Sequence, residues 1–332
     1  MDRIEPKLVT IFGGAGFVGT QIVQLLAKRG HRIRVATRRP NLAGPVKMFG
    51  SVGQVQPIQA NLRNAASVQH AVRGADIVIN LVGVGISRGS QSFTAVHVDG
   101  ARHVAEAAKA AGVTTLVHMS ALGVDLAAAT SEYAASKLDG EVAVMEAFPQ
   151  AIIMRPSILF GQGDGFFNLM GTLTRLFPVL PLIGGKTRFQ PVYVGDVATA
   201  FLRAVEGKVK TGRVYELGGP QIETYKELMQ RVGREAIRNR PMLPIPSGIA
   251  KLLALPFAFL PFPPLLTSDQ VELLGVDNVV SAAAIADKRT LAAFGVTPTS
   301  MDTILPGYMW RFRKHGQFDR VPVVVPADDG AL

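Results

Sequence analysis

The chain has 332 residues, 48% of them hydrophobic, which is enough for one large core and a smaller second lobe. It contains no cysteine, so disulfides, thiolate catalysis and cysteine-bound zinc or iron–sulfur centres are excluded, and we expect no metal site. The formal net charge of +10 suits nucleic acid, anionic lipid headgroups, an acidic partner protein or bound phosphates, but no nucleic-acid-binding motif is present, so we expect no nucleic acid.

The beginning of the chain argues against export. Asp2 and Glu5 are acidic where a signal peptide would carry basic residues, and an apolar strand pattern follows directly. No window of about 20 uninterrupted apolar residues occurs, so we expect no membrane-spanning helix.

A glycine-rich stretch follows an apolar, β-branched run at residues 7–12 and precedes apolar residues at helical spacing over 21–27. The pattern predicts a strand, a tight turn and a helix. Glycine lets the backbone N–H groups at the start of such a helix approach a pyrophosphate, which a β-carbon would prevent. A tight turn without a ligand is the alternative. We predict dinucleotide binding by Gly13, Gly14, Gly16, Phe17, Val18 and Gly19.

The second predicted strand, residues 31–37, ends in Arg38, Arg39 and Pro40. A site that prefers NAD usually has an acidic residue about twenty positions after the glycines, where it accepts a hydrogen bond from the ribose 2′-hydroxyl. Here two arginines stand at that place. A guanidinium matches a 2′-phosphate, so we predict NADPH in preference to NADP+ or NAD(H). The alternative is a pair of solvated surface arginines.

Strands and helices continue to alternate, with strands predicted at 55–60 and 76–83 and a helix at 65–72. Nearly continuous apolar strands between helices predict a doubly wound parallel sheet of the Rossmann type. The ends of these strands would lie near the nucleotide, although plain loops explain them as well. We expect Asn61 and Leu62 beside the adenine, and Val82 and Gly83 along the nucleotide path.

A helix over 98–111 and a strand over 115–120 lead to a helix that carries Tyr133 and Lys137. Four residues apart, the two side chains share one helix face. A lysine beside a phenol lowers the phenol's pKa, which favours proton exchange with a carbonyl or alcohol, and the lysine can also hold a nicotinamide ribose. Ser120, at the end of the preceding strand, is placed to hold a substrate oxygen.

The alternation loosens after residue 165. We predict a Rossmann domain over 1–165, completed by strands at 189–194 and 214–217 with a helix at 197–205 between them. A smaller lobe would occupy 166–320, and 321–332 would form an extended tail. Asp196 precedes the predicted helix, so we expect it to cap the free N–H groups there, a structural role in preference to a catalytic one.

Two late segments suggest contacts outside the sheet. Residues 241–266 contain seven prolines and one charge, Lys251, so the segment would pack on the small lobe, enter a partner subunit or lie among lipid headgroups. Residues 308–315 alternate aromatic and basic side chains, which is typical of a membrane interface or of a solvated helix end.

Four ordered motifs now identify a resemblance over nearly the whole chain to the extended and atypical short-chain dehydrogenase/reductase superfamily. They lie at residues 13–19, 133–137, 155–164 and 190–198. Within that superfamily, residues 78–83, 146–153 and 190–194 are most similar to the nucleotide-binding accessory subunit of respiratory complex I, the NADH:quinone oxidoreductase.

The resemblance implies a tightly held NADPH that serves structure and lies outside the main electron path. It adds Pro156 and Ile158 to the expected cofactor contacts. It also implies other complex I subunits as partners, with a peripheral position on the cytoplasmic face of the bacterial inner membrane or the matrix side of the inner mitochondrial membrane. Two departures matter: Asn61 replaces an Asp found in many relatives, and Ala121 removes a second-position hydroxyl after Ser120.

Three functions stay open at this stage. The first is a non-catalytic, NADPH-bearing subunit at the junction of the peripheral and membrane arms of complex I. The second is an NADP(H)-dependent reductase or epimerase in which Tyr133 is the acid/base, Lys137 modulates its pKa and Ser120 anchors the substrate oxygen. The third is a redox-sensing regulator that distinguishes NADPH from NADP+.

Overall fold

The computed structural model describes residues 5–246, 248–249 and 267–319. Seven of the described strands form one parallel sheet. In chain order they are β1 (Leu8–Phe12), β2 (Arg32–Thr37), β3 (Val55–Gln59), β4 (Ile77–Asn80), β5 (Thr115–Met119), β6 (Ile152–Pro156) and β11 (Arg213–Leu217). Their spatial order is β11-β6-β5-β4-β1-β2-β3, and all neighbours run parallel.

Helices cover both faces of this sheet. On one face, α1 (Phe17–Lys28) and α7 (Val194–Val205) bury apolar side chains such as Ile22 and Phe201. On the other, α2 (Ala65–Val72), α3 (Asp99–Ala110) and α5 (Glu132–Ala147) do the same with side chains such as Val68, Val104 and Val144. A single turn, α4 (Val124–Ala127), precedes α5. The strands β1, β4 and β6 are buried on both faces and are largely apolar, whereas β2 and the edge strand β3 keep exposed polar residues such as Arg32 and Gln56.

The predicted doubly wound parallel sheet is confirmed. The strand order reverses between β1 and β4, because the chain adds β2 and β3 on one side of β1 and then returns to the other side. At such a reversal the two adjacent crossovers leave in opposite directions, which opens a crevice beyond the carboxyl ends of the strands. The glycine-rich turn follows β1 and therefore lies at this crevice.

A second apolar core lies beyond the sheet, in what we call the C-terminal lobe. Its buried side chains include Phe160, Phe167, Leu228, Met301 and Tyr308. The lobe comprises α6 (Phe166–Leu176), β8 (Leu180–Leu182), β9 (Arg188–Phe189), β12 (Glu223–Thr224), α8 (Tyr225–Glu235), β13 (Met242–Pro244), α9 (Ser268–Leu273), α11 (Met301–Ile304) and α12 (Pro306–Met309). A short α10 (Ala282–Ala286) lies between α9 and α11. The domain boundary at residues 165 and 166 stays a prediction.

The predicted single strand over 189–194 is wrong. β9 pairs antiparallel with β12, whereas β10 (Val192–Tyr193) pairs with β7 (Leu159–Phe160) in a different two-stranded sheet. Gln190 and Pro191 separate the two strands, and the Gln190 N–H donates to the Asn278 carbonyl. Since proline has no N–H to donate, it marks the point where one pairing ends and the next begins.

The predicted capping role of Asp196 is also wrong. The helix α7 begins at Val194, two residues before Asp196, and its N-cap residue is Tyr193. The Asp196 carboxylate instead accepts hydrogen bonds from the Thr299 N–H (2.6 Å) and the Thr299 hydroxyl (2.9 Å). Asp196 thus fixes a loop near the end of the chain, which is a structural role of another kind.

The aromatic and basic run at 308–315 is not a membrane-facing stripe of aromatic rings. Tyr308 and Phe312 are buried in the C-terminal lobe, and the Tyr308 hydroxyl donates to the buried Asp164 carboxylate (2.6 Å). The side chains of Trp310 and Arg311 remain exposed. The aromatic rings alternate with cations because the segment covers the apolar core with one side and meets solvent with the other.

Two predicted segments lie wholly or largely outside the described residues. Of 241–266, the structure describes 241–246 and 248–249, and of the predicted tail at 321–332 it describes none. Among the described helices, none combines the length and the apolar character needed to cross a bilayer.

Candidate functional site

The glycine-rich turn is built to bring backbone N–H groups to the crevice. Gly13 adopts a φ of +81°, a conformation that favours glycine. A β-carbon on Gly19 would lie 2.4 Å from the Gly13 carbonyl oxygen, so α1 can approach the turn only because Gly19 has no side chain. Gly16 precedes α1 and offers no capping side chain, and the first turn of α1 carries no acidic residue. The positive end of α1 is thus left for an anion.

The other residues of this motif support the turn from behind. A β-carbon on Gly14 would meet Ile11 and Val35 at 3.2 to 3.3 Å, so Gly14 packs against the sheet. Val18 is buried in the core. The Phe17 ring lies near Gly161, on the loop after β7. These residues are therefore part of the structural support for the turn.

A cleft of about 180 Å³ continues from the turn along the ends of β1, β2, β3 and β4. It brings together six of the predicted cofactor contacts from four separate parts of the chain. They are Gly13, Arg38, Asn61, Leu62, Val82 and Gly83. A second, polar cavity of about 340 Å³ shares Arg38 and Asn61 with this cleft and adds Asn64 and Ser67. Arg39 lines neither of these cavities.

Two arginines hydrogen-bond to the loop over residues 83–92 across the cleft. The Arg38 guanidinium donates to the Gln91 side chain, and Arg63 Nη1 donates to the Ser90 carbonyl (2.8 Å). The Asn61 side-chain oxygen accepts from the Arg63 N–H (3.2 Å), which leaves the Asn61 amide N–H groups available to a ligand. The loop over residues 83–92 therefore closes one side of the cleft.

Tyr133 lies on α5 within a cluster of rings. It makes edge contacts with Phe93 (5.8 Å between centroids) and His97 (5.5 Å), and those two rings stack on each other at 5.5 Å. Burial raises the pKa of Tyr133 to about 12, and the nearby Asp269 carboxylate adds to the rise. The phenol therefore stays protonated at neutral pH and acts as a hydrogen-bond donor.

Lys137 is buried one helical turn after Tyr133. Its Nζ donates to the Met119 carbonyl (2.7 Å), at the end of β5. Burial lowers the pKa of Lys137 to about 8, partly offset by Glu141. The expectation that Lys137 lowers the pKa of Tyr133 is not met, since the pKa of that phenol is raised.

His97 is a site residue that the sequence analysis missed. The Val84 N–H donates to His97 Nε2 (2.9 Å), so that nitrogen carries no proton, and Nδ1 lies 2.8 Å from the Ser136 hydroxyl. Ser136 in turn donates to the Tyr133 carbonyl (2.8 Å). Burial, with the charge of Lys137, lowers the pKa of His97 to about 3. A neutral His97 thus connects the loop over residues 83–92, which we call the cleft loop, to the helix that carries Tyr133.

Ser120 and Ala121 follow β5 and face different surroundings. The Ser120 hydroxyl is buried without a hydrogen-bond partner among the described residues. Ala121 lines another cavity together with Tyr133. The hydroxyl of this pair is thus buried and unpaired among the described residues, whereas the position that faces the cavity has no hydroxyl.

The cavity beside Tyr133, of about 300 Å³, lies between the end of the sheet and the C-terminal lobe. The predicted cofactor residue Ile158 lines it, whereas Pro156 lies in the buried strand β6 and its carbonyl accepts from the Leu122 N–H (2.9 Å). Side chains of α6 and α9 form the opposite wall. The cavity therefore lies on the Tyr133 side of the site, away from the cleft beside the glycine-rich turn.

The geometry combines a parallel sheet, a bare glycine turn at its strand reversal, and a tyrosine and lysine pair beyond it. Residues 9–218, which carry all of these features, match the family described as NAD dependent epimerase/dehydratase. The chain belongs to this family.

Curated relatives extend the similarity over most of the chain. The mitochondrial "NADH dehydrogenase [ubiquinone] 1 alpha subcomplex subunit 9" of Arabidopsis thaliana is 35% identical over 86% of this chain and 73% of its own length. The mitochondrial "NADH-ubiquinone oxidoreductase 40 kDa subunit" of Neurospora crassa is 29% identical over 94% and 81%. "Ceramide reductase" of Caulobacter vibrioides is 35% identical over 67% and 68%.

Solved structures share the fold. The Bordetella bronchiseptica enzyme WbmH in complex with NAD+ superposes with a TM-score of 0.69 at 18% identity, over 94% of this chain and 100% of that one. The NADPH-dependent quinone oxidoreductase QOR2 of Escherichia coli, complexed with NADPH, gives 0.67 at 17% identity, over 88% and 96%. At these identities the likeness extends to the fold and no further.

The residues present fit a nicotinamide nucleotide. The α1 N-terminus lacks a capping side chain, the adjoining cleft is lined by small and polar residues, and the Ser120 hydroxyl lacks a partner. Such a group, when bound, supplies or accepts a hydride at its nicotinamide ring. The protein would supply backbone donors for the pyrophosphate, Lys137 near the ribose and Tyr133 as a neutral proton donor.

Proposed function

We propose that this protein is an NADPH-holding accessory subunit of respiratory complex I, with no turnover of its own. It would stabilise the junction between the peripheral and membrane arms. The observation that carries the proposal is the similarity to mitochondrial subunits of that complex over 86% and 94% of the chain. The bare glycine turn and its cleft supply the nucleotide site.

Two features support a structural use of the nucleotide. Ala121 lines the cavity at the position where a serine would add a hydroxyl beside Tyr133. The pKa of Tyr133 is raised to about 12, so the phenol is not activated toward proton loss as an acid/base tyrosine would be.

Association with the complex is tested by gentle solubilisation of host membranes followed by native electrophoresis. We expect the chain to migrate with complex I subunits and to release NADPH on denaturation, as identified by mass spectrometry. A chain that migrates alone, from membranes in which complex I stays intact, overturns the proposal.

NADPH in preference to NADH is supported by Arg38. It lines both the cleft beside the glycine-rich turn, which we propose holds the adenosine and call the adenosine cleft, and the adjoining polar cavity. Among the described residues, no acidic one lines either of them. A 2′-phosphate in the polar cavity would meet a guanidinium together with the Asn64 and Ser67 side chains. A charge-assisted hydrogen bond contributes about 1.5 to 3 kcal/mol.

We therefore expect Arg38→Ala to weaken NADPH binding roughly 10- to 100-fold and NADH binding by less than about twofold. Arg39→Ala is the matched control, because Arg39 follows directly and lines neither cavity. Calorimetry with both nucleotides measures the difference. Equal losses in the two variants, or equal losses for the two nucleotides, would contradict the NADPH assignment.

A peripheral membrane position is supported by one surface of the C-terminal lobe. Exposed apolar side chains lie at the end of α6 and on the neighbouring β8 and β13 edge; they are Leu176, Phe177, Val179 and Leu243. A polar cavity of about 530 Å³ adjoins them, since the Leu180 N–H donates to the Pro241 carbonyl and both residues line it. Its cations are Lys226, Arg234, Arg238 and Arg240, and no acidic residue from the described part of the chain lines it. Apolar side chains and cations together suit anionic lipid headgroups.

Vesicle sedimentation tests this surface. We expect binding to vesicles that contain phosphatidylglycerol or cardiolipin, weaker binding to neutral vesicles, and a further loss at high salt because exposed charges are screened. Leu176→Glu should reduce binding to anionic vesicles several-fold. Unchanged binding in that variant would remove lipid from the proposed partners.

A working NADP(H)-dependent reductase or epimerase is the second candidate. It is supported by the similarity to the Caulobacter relative named a reductase and by the open cavity beside Tyr133. This function predicts NADPH-dependent turnover that is lost in Tyr133→Phe while nucleotide affinity is retained. If parent and variant behave alike in every substrate screen, this candidate is overturned.

A further inference from the structure

The cavity beside Tyr133 has a chemistry that the proposed assembly role does not use. Most of its lining is apolar, from Ala121, Leu122 and Val124 on one side to Leu169, Leu273 and Leu274 on the other. Phe166, Phe189 and Tyr225 form an aromatic cluster in its wall, with centroids 6.1 to 6.2 Å apart. A volume of about 300 Å³ is at the lower end of the range for small-molecule sites.

The charges at this cavity are unsuited to an anionic ligand. Among the residues that the structure describes, no lysine or arginine lines it, and the carboxylate that does, Asp277, is already bound by the Arg188 guanidinium (2.7 and 2.9 Å). Asp269, whose carboxylate lies near Tyr133, accepts from the Ser131 hydroxyl (3.1 Å). The described lining therefore offers a nucleoside diphosphate no cation that is not already paired with a carboxylate.

The polar groups of the cavity are also few. The Asn278 amide is satisfied within the protein, because its Nδ2 donates to the Leu122 carbonyl and its Oδ1 accepts from Ser157. The Gln270 side-chain oxygen accepts from the Thr267 N–H (3.0 Å). The Tyr133 phenol stays protonated at neutral pH, so it remains a hydrogen-bond donor at the sheet end of a mostly apolar space, whose opposite wall carries the Tyr225 hydroxyl.

We infer that this cavity binds an uncharged molecule with an apolar body and a carbonyl oxygen, and that the Tyr133 hydroxyl donates to that oxygen. A sugar nucleotide suits the described lining poorly, because no free cation there would meet its diphosphate. A long-chain ketone and an alkyl quinone share the required chemistry, and the test separates them. The inference goes beyond the proposed assembly role, since it concerns the Tyr133 side of the site and not the adenosine cleft.

The test measures displacement of Nile red, an uncharged apolar dye, from the full chain in the presence of NADPH. We expect 2-undecanone or decylubiquinone to displace the dye and UDP-glucose to leave it bound. Displacement by the ketone alone identifies an acyl-chain ligand, and displacement by the quinone alone identifies a ring ligand. Displacement by UDP-glucose, or by neither carbonyl compound, overturns the inference.

A matched pair of variants on α6 locates the binding. Leu169 and Leu176 are both exposed, at 40% and 66%, but only Leu169 of the two lines the cavity. We expect Leu169→Glu to weaken binding of the carbonyl probe at least tenfold, because a carboxylate against an apolar ligand is poorly solvated. Leu176→Glu should change it by less than about twofold. Equal effects of the two substitutions overturn the inference.

Tyr133→Phe tests the polar contact separately. The variant should bind 2-undecanone several-fold more weakly while Nile red and NADPH affinities stay close to those of the parent, since the ring is kept and one hydroxyl is lost. Unchanged ketone affinity removes the assigned donor and overturns that part of the inference. Migration with complex I is measured independently, so failure of the ligand site and failure of the assembly role can be told apart.

Discussion

At the scale of single residues, His97 shows how a hydrogen-bond chain joins two parts of the site. Its Nε2 accepts from the Val84 N–H and its Nδ1 lies against the Ser136 hydroxyl, so the neutral ring with a proton on Nδ1 satisfies both contacts. A proton on Nε2 would face the Val84 N–H and break the first of them. The tautomer is thus fixed by the backbone of the cleft loop.

This arrangement makes stability depend on pH. Burial lowers the pKa of His97 to about 3, below the 6.5 of an unfolded histidine, so between these values the unfolded chain binds a proton that the folded chain does not. Stability is therefore fully retained above pH 6.5 and falls as the pH decreases toward 3. We expect His97→Gln to reduce the loss of stability between pH 7 and pH 5, measured by urea unfolding.

His70→Gln is the control for that comparison, since His70 lies exposed on α2. It should lose as much stability between pH 7 and pH 5 as the parent. The buried His118 has a pKa lowered in the same direction, so part of the dependence persists in His97→Gln. Identical pH dependence in parent and His97→Gln would contradict the assignment.

The glycine turn and the Tyr133 and Lys137 pair could be predicted from the sequence because their geometry is local. A helix places residues four apart on one face whatever surrounds it. His97 could not be found in this way, since its two partners come from residues 84 and 136 and its own turn is a π-helical one (Thr94–Val98). The rise in the pKa of Tyr133 could not be predicted from the sequence either, because it depends on burial and on Asp269 from a distant segment.

At the scale of elements, the turns over residues 306–312 pack against α6 and hold it in place. The Phe312 ring lies so close to Gly171 that a β-carbon there would be 2.5 Å from it. Tyr308, one turn earlier, donates to Asp164 at the start of α6. The last described helices therefore complete the core of the C-terminal lobe.

We expect Phe312→Ala to destabilise the protein by about 3 to 5 kcal/mol, since it removes a buried ring and leaves a cavity. Phe318→Ala is the matched control, because that ring is 82% exposed and its loss should change stability by less than about 0.5 kcal/mol. Chemical denaturation of the two variants measures both values. Comparably small losses of stability in the two variants would show that the packing of Phe312 on α6 contributes little to stability.

The sequence predicted most helices and strands of the sheet because apolar periodicity reports burial. At 308–315 it left a membrane interface and a solvated helix end open, and nothing in it indicated that Tyr308 and Phe312 pack on the protein's own core. It failed at Asp196, since the partner of that carboxylate, Thr299, is about one hundred residues away. An element can be predicted from its own residues, but the surface that it contacts cannot.

At the scale of the whole molecule, the adenosine cleft is shared by four parts of the chain. Gly13, Arg38, Asn61 and Gly83 all line it, and the loop over residues 83–92 is tied across it by two arginines. A nucleotide held there contacts the folded state alone, since these residues are far apart in an unfolded chain. Binding therefore stabilises the fold as a unit.

We expect NADPH at about 100 times its dissociation constant to raise the free energy of unfolding by about 2.7 kcal/mol. Hydrogen exchange should slow chiefly at the first turn of α1 and in the loop over residues 83–92. Thermal unfolding with and without NADPH measures the first effect. Protection confined to the C-terminal lobe would place the nucleotide elsewhere.

The strand order of the sheet has one more consequence, for synthesis of the chain. Because β4 lies beside β1 and follows β2 and β3, a nascent polypeptide exposes its glycine turn long before the opposite wall of the cleft has left the ribosome. Lys137 emerges later still. The cleft is therefore complete only after β4 has been synthesised, so a nicotinamide nucleotide can make all of its contacts there only late in translation or after it.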